Sequence, residues 1–235
     1  MLGGHYTTAL VAKQYFPKGS LLYFLAMSQL PDLLWVSFHF IGIEETHPSS
    51  ILKVSLDNLI VQMIYSHDLL PMFVWVVVAY LIGFLLFKHK GVGLAGSILV
   101  AVHAFVDYIG GYPHNIFGTN THSVGTGLYY TYPYLAVMLE ALFTLVILLW
   151  FFRNEKANQE NRSRRSKGWI LGIFIFNIIF MFSIADLSMV ESMAMLGVEI
   201  PESSLKTTMP SLLMTYLLFI YLINRAFFID YIERP

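Results

Sequence analysis

His103 and Asp107 stand four residues apart in Leu99-Val-Ala-Val-His103-Ala-Phe-Val-Asp107-Tyr, and no other charged side chain occurs between Val92 and Gly110. On a helix, that spacing puts both on one face, one turn apart. Burying a carboxylate among apolar residues is costly unless a partner or a metal compensates. Imidazole and carboxylate are the ligands a divalent cation takes when thiols are absent. The chain has no cysteine, so any metal must be held by His, Asp or Glu. The competing reading is a histidine hydrogen-bonded to its own helical neighbour.

Two further segments carry ligand-type residues to a similar depth, and a third carries one higher. Asp32 follows Leu30-Pro31, where proline should bend a helix and free backbone groups. At a rise of about 1.5 Å per residue, Asp32 lies roughly 20 Å from Gly19, and His5 roughly 21 Å back along the preceding segment. A hairpin turning at Pro17-Lys18-Gly19 would bring the two level. His103 and Asp107 lie about 17 and 23 Å from Val92 by the same measure. His67 is higher, about 30 Å from Phe87, and needs a helix start sunken at Ser66 to join them. Asp68 is the residue type expected to cap that helix.

His5, Asp32, His67, His103 and Asp107, with His114 or His122 on a nearby loop, could hold one metal or two. Zinc is the first expectation, with manganese and iron as alternatives. A bound metal would lower the pKa of its water for attack on an ester. Asp32, Asp107 and His114 are the candidates to orient that water or take its proton. The alternative for the same groups is a proton or cation path through the bundle, since intramembrane Asp and His also mark relays. Glu140 is a possible outer partner of the site and would join that path. Asn177 suits a bond between helices, and His39, His47 and His89 read as surface histidines.

The elements that must position these groups are membrane helices. Of the 235 residues, 57% are hydrophobic and 12% charged, against about 25% charged in soluble domains. Runs at 21–43, 69–87, 92–110, 133–152 and 168–187 are long enough to cross a bilayer, which takes about 20 residues. A sixth runs from Pro210 to about Ile229 and a weaker segment from His5 to Phe16. The expectation is an all-α polytopic bundle of five to seven helices, a single domain over 1–235. Its N-terminal helical hairpin packs on 69–110, residues 1–132 form the metal-site half, and 133–235 supply the C-terminal helices.

Lys13, Lys18, Lys88, Lys90, Arg153, Lys156, Arg162, Arg164, Arg165, Lys167, Arg225 and Arg234 fall on one side of these spans, and only Lys53 and Lys206 on the other. The first side is therefore expected to be cytoplasmic, including the linker 153–167, with the site opening to the outer side of a cell membrane. The N-terminus does not read as a cleavable signal peptide. Net charge is −1 and no basic stripe is interleaved with aromatics, which gives no reason to expect nucleic acid. Of the outer loops, 44–66 suggests an interfacial helix near Ile51–Ile64, 111–132 a structured cover over the site, and 188–209 a solvated acidic connector.

His5 near the start, Leu30-Pro31-Asp32 closing an apolar helix, Ser66-His67 before the next span and His103-x3-Asp107 together resemble a family. It is that of the multi-pass membrane-bound metal-dependent hydrolases related to the bacterial YdjM and YbcI proteins. The resemblance covers about residues 3–115. The order Asp, His, His-x3-Asp is also similar to the metal-ligand order of zinc-dependent phospholipase C, a helical enzyme that cuts lipid phosphodiesters. That similarity implies His103 and Asp107 as metal ligands, with Asp32 and His67 completing the site. Around the middle histidine the family usually shows Arg-Gly and Thr-His-Ser, where this chain reads Ile64-Tyr-Ser-His67-Asp-Leu. The implied activity is hydrolysis of an ester or phosphoester in a lipid or amphiphile entering from the outer leaflet.

Overall fold

The computed structural model describes residues 2–157, 162–201 and 204–232. The architecture is an all-α bundle: α1 (Leu2–Tyr15), α2 (Leu21–Ser28), α3 (Leu30–Phe40), α4 (Leu69–Phe87), α5 (Lys90–Gly110), α6 (Leu128–Thr131), α7 (Pro133–Ala157), α8 (Arg164–Ser183), α9 (Met189–Met195) and α10 (Thr208–Ile232). Five of these helices, α4, α5, α7, α8 and α10, are long and apolar enough to cross a membrane. Their outward faces carry exposed Phe73, Leu86, Phe105, Leu142, Phe176 and Ile179, the reverse of a water-soluble surface. Inside, Tyr6, Leu10, Phe24, Leu25, Phe151 and Phe174 are fully buried.

The run 21–43 is not one straight span. It is broken at Gln29, which ends α2 and caps α3, and the two pieces diverge by 65°. Pro31, in the first turn of α3, has no N–H to continue the ladder from α2, but it suits a helix start, where that donor would be orphaned anyway. The start of α2 is fixed by Ser20, whose Oγ accepts the Tyr23 N–H at 3.1 Å.

The N-terminal hairpin packs through α2 onto α5 and through α1 onto α7 as well as α5. The α4–α5 hairpin closes tightly because a Cβ on Gly83 would come 2.9 Å from the Gly93 Cα, and one on Gly93 2.7 Å from the Tyr80 carbonyl oxygen. Small residues let the backbones approach, as membrane helices require where no hydrophobic force pulls them together. Helices α8 and α10 pair with each other, and α10 also lies against α3 and α2.

The loop 44–66 differs from expectation. In place of an interfacial helix it has β1 (Thr46–His47) paired antiparallel with β2 (Ile60–Val61), and a single 3₁₀ turn at Ile51–Lys53. Helix is interrupted by local side-chain bonds: Asn58 Oδ1 accepts the Ser55 N–H, Asn58 Nδ2 donates to the Lys53 carbonyl, and the Ser55 hydroxyl donates to Asp57. In 111–132, β3 (His114–Asn115) pairs with β4 (Ser123–Val124), followed by α6. The connector after α8 carries α9, held by a capping box between Ser188 and Glu191. α8 stops at Ser183, leaving Asp186 beyond it to accept the Tyr134 hydroxyl at 2.6 Å.

Candidate metal centre

Each ligand-type residue owes its position to a local feature of its segment. The first turn of α3 delivers Asp32 immediately after the break, and the last two turns of α5 deliver His103 and Asp107 from one face. His67 precedes α4 on a turn in which Met63 O accepts both the His67 and Asp68 amides. That turn dips toward the bundle, which supplies the depth that helical rise alone denies His67. All four side chains are buried. One ligand atom from each of Asp32, His67, His103 and Asp107 lies within 4.8 Å of the others, so these four residues can hold a metal ion.

The hydrogen bonds around the imidazoles prepare them for that role. His103 Nδ1 is 2.8 Å from the Ser28 carbonyl, an oxygen that can only accept, so the neutral ring carries its proton on Nδ1 and its lone pair on Nε2. His67 Nδ1 is 2.8 Å from Ser66 Oγ, whose hydroxyl donates to Glu44 Oε2 at 2.8 Å. The Ser66 oxygen is thus left to accept from His67 Nδ1, which again leaves a lone pair on Nε2. These assignments follow from the bonding network. Both Nε2 atoms are buried and make no hydrogen bond. His103 Nε2 faces Asp107 Oδ2 at 3.1 Å and Asp32 Oδ2 at 4.0 Å; His67 Nε2 faces Asp32 Oδ1 at 3.4 Å and Asp107 Oδ2 at 3.8 Å. Lone pairs aimed at buried carboxylate oxygens repel them, and a divalent cation among them turns that repulsion into ligation. The donor set, two imidazoles and two carboxylates, fits zinc, manganese or iron.

His5 stands one step outside this set. Its Nε2 is 3.1 Å from Asp107 Oδ1, and its ring stacks on His103 with centroids 3.7 Å apart. It holds the Asp107 oxygen turned away from His103, the supporting position that orients a ligand. His114, carried by β3, is buried and stacks on His67 at 5.3 Å. Burial, with the neighbouring His67, pushes its pKa down to about 3, so its ring is neutral. His122 is exposed on the same hairpin and does not reach the site.

Two acids differ from their expected roles. Asp68 sits at the cap position of α4, yet its side chain makes no cap bond. It accepts the amides of Asn115 at 2.8 Å and Gly118 at 2.6 Å instead, because the β3–β4 hairpin would otherwise leave those donors without an acceptor. Glu140 serves the N-terminus of α1: Oε1 accepts the Gly3 and Gly4 amides at 2.8 and 3.3 Å, and Oε2 accepts the Tyr129 hydroxyl.

Glu44 and Ser28 are partners of the site that sequence reasoning passed over, and Ser66, read there only as part of a motif, is a third. Glu44 takes both the Tyr65 and Ser66 amides on Oε1 as well as the Ser66 hydroxyl on Oε2, so it fixes the segment that aims His67. Glu44→Ala is expected to weaken metal affinity about 10–100-fold, the usual effect of losing an outer hydrogen-bond partner. A competition titration against a fluorescent chelator measures this. Tyr216 of α10 lines the same cavity as Asp32.

Three of the four candidate ligands, Asp32, His67 and Asp107, border a cavity of about 150 Å³, where with His114 they form a polar end, and Trp35, Leu56, Leu59, Met63, Tyr112 and Met181 are among the apolar walls. The expected opening through the outer loops is closed. Of the residues those loops contribute to the lining, Val54, Leu56, Leu59, Met63, Gly111, Tyr112, His114 and Tyr129 are buried and only Ile51, beside the start of α10, is half-buried. The chain was compared with protein-family models, curated proteins and solved structures, and none of the three comparisons finds a match.

Proposed function

We propose that the chain is a membrane-embedded metal-dependent hydrolase that cleaves an ester or phosphoester of a lipid or other amphiphile. The observation that carries this reading is a buried His2Asp2 cluster at the polar end of a cavity with apolar walls. Asp32, His67, His103 and Asp107 would hold the cation, and the chemistry it supplies there is activation of water at neutral pH. Asp32 and Asp107, the latter held by His5, are the groups that orient the attacking water and accept its proton. Neutral His114 borders the same space and positions the ester oxygens by hydrogen bonding. The walls exclude bulk water and take the apolar part of the substrate.

The test is incubation of detergent-purified protein with a panel of phospholipids and short-chain phosphoesters, with and without chelator. Chelator-sensitive cleavage is the expected result. Solute uptake into proteoliposomes that Asp107→Asn abolishes, without cleavage of any substrate, would replace hydrolysis by transport.

The charge asymmetry of the loops supports an orientation with the α7–α8 connection in the cytoplasm. Because the chain has no cysteine, single cysteines report this cleanly. One placed at Thr119 should react with an impermeant thiol reagent on intact cells and one at Ser163 should not; the reverse pattern inverts the topology.

A further inference from the structure

The lining of the metal-site cavity is exposed on one flank. The loop residues over it are buried except Ile51, which is half-buried and bonded to Thr207 at this flank; Phe180 at the end of α8 is 40% exposed, and Ile184, Ser211, Leu212 and Thr215 are half-buried. These positions belong to the end of α8 and the start of α10, two membrane-length helices. Beside them the surface is apolar, with Phe176, Ile179, Met214 and Leu218 exposed. The roof on the other side is pinned: the Leu56 amide donates to the Ile184 carbonyl at 2.8 Å, Tyr112 donates to the Leu56 carbonyl, and Tyr130 to the Leu59 carbonyl.

The cavity's size adds a second constraint. At about 150 Å³ it matches the space that takes up a benzene-sized molecule, enough for an ester linkage and a few methylenes. A long acyl chain cannot lie wholly inside, so it must leave through a wall.

We infer that the substrate is a bilayer-resident amphiphile that enters sideways between the end of α8 and the start of α10, its ester at the metal centre and its acyl chain lying past Phe180 and Leu212 in the membrane. This rests on the hydrolase reading and adds the route and the long-chain class of substrate. Ser211 is the smallest side chain on the flank and is not one of the proposed ligands, so Ser211→Trp narrows the passage while the metal set keeps all four of its residues.

The experiment compares wild type and Ser211→Trp on dihexanoyl phosphatidylcholine, dissolved as monomer, and on dioleoyl phosphatidylcholine in vesicles, with metal content measured for both proteins. The expected result is a loss about tenfold or more larger on the long-chain lipid, whose acyl chain stays in the passage during turnover, than on the short one, which crosses it only to enter, with metal content unchanged. Equal effects on both substrates, or none on either, overturn the lateral route. If wild type cleaves neither lipid, the hydrolase reading fails separately. The route is then decided by photo-crosslinking with a phosphatidylcholine bearing a diazirine in its acyl chain. Crosslinks at the buried lining residues Trp35 and Tyr216 support entry, and crosslinks confined to outward residues such as Phe176 and Leu218 overturn it.

Discussion

Asp107→Ala is expected to yield a protein that purifies without the stoichiometric zinc, manganese or iron that elemental analysis should find in wild type. Its carboxylate is the hub of the site: Oδ1 lies 3.1 Å from His5, and Oδ2 3.1 Å from His103 and 3.8 Å from His67. Truncation removes one ligand and half of the negative charge that draws a cation into the bundle. Loss of an outer partner alone costs about 10–100-fold in affinity, and loss of a ligand should exceed that. The effect is also visible in stability. A ligand at about 100 times its Kd adds about 2.7 kcal/mol to the folded state, and each kcal/mol moves Tm by about 2–4 °C in a chain of this size. Chelation should therefore lower the wild-type Tm by about 5–10 °C and leave Asp107→Ala unmoved. Wild-type protein that is active and free of metal would refute the assignment.

Glu140→Ala is expected to lower stability by several kcal/mol without touching a ligand. Three donors, the Gly3 and Gly4 amides and the Tyr129 hydroxyl, lose their acceptor. Hydrogen bonds to a charged group are worth about 1.5–3 kcal/mol each, and buried donors left unpaired cost a similar amount. Glu140→Gln keeps one acceptor oxygen and should recover part of the loss. Thermal unfolding in detergent measures both. The prediction also bears on the transport alternative, which needs Glu140 as a titrating relay. In the capping role, Glu140→Gln alters stability and leaves the metal centre's chemistry in place; a selective loss of proton or cation movement at unchanged stability would contradict it.

His103-x3-Asp107 was legible because helical periodicity alone puts both on one face. That Pro31 opens a new helix was not read, but Asp32 was legible because a carboxylate beside a proline inside an apolar run marks a bend with freed backbone groups. The depth of His67 was not, because rise per residue measures a helix, and His67 hangs from the turn that Met63 O holds. Ser28 and Glu44 lay beyond reach for a different reason. Their bonds span 75 residues to His103 and 22 residues to Ser66, and no local pattern encodes which backbone carbonyl or which loop acid will arrive. Asp68 had the right residue type for a cap, but the competition between one helix end and two hairpin amides is settled only in three dimensions. The five long spans were readable by hydropathy, whereas the 65° bend at Gln29 could be located from Pro31 but not measured.

That bend makes one short stretch serve the centre twice, since the last carbonyl of α2 orients His103 and the first turn of α3 supplies Asp32. Only three residues separate Ser28 from Asp32. Inserting or deleting one between them would turn Asp32 by about 100° around the α3 axis and shift it by about 1.5 Å, while Ser28 kept its hold on His103. The site is therefore more sensitive here to chain length than to side-chain identity. Homologous chains that share the chemistry should differ freely in the loops around the spans and still keep this spacing without gaps.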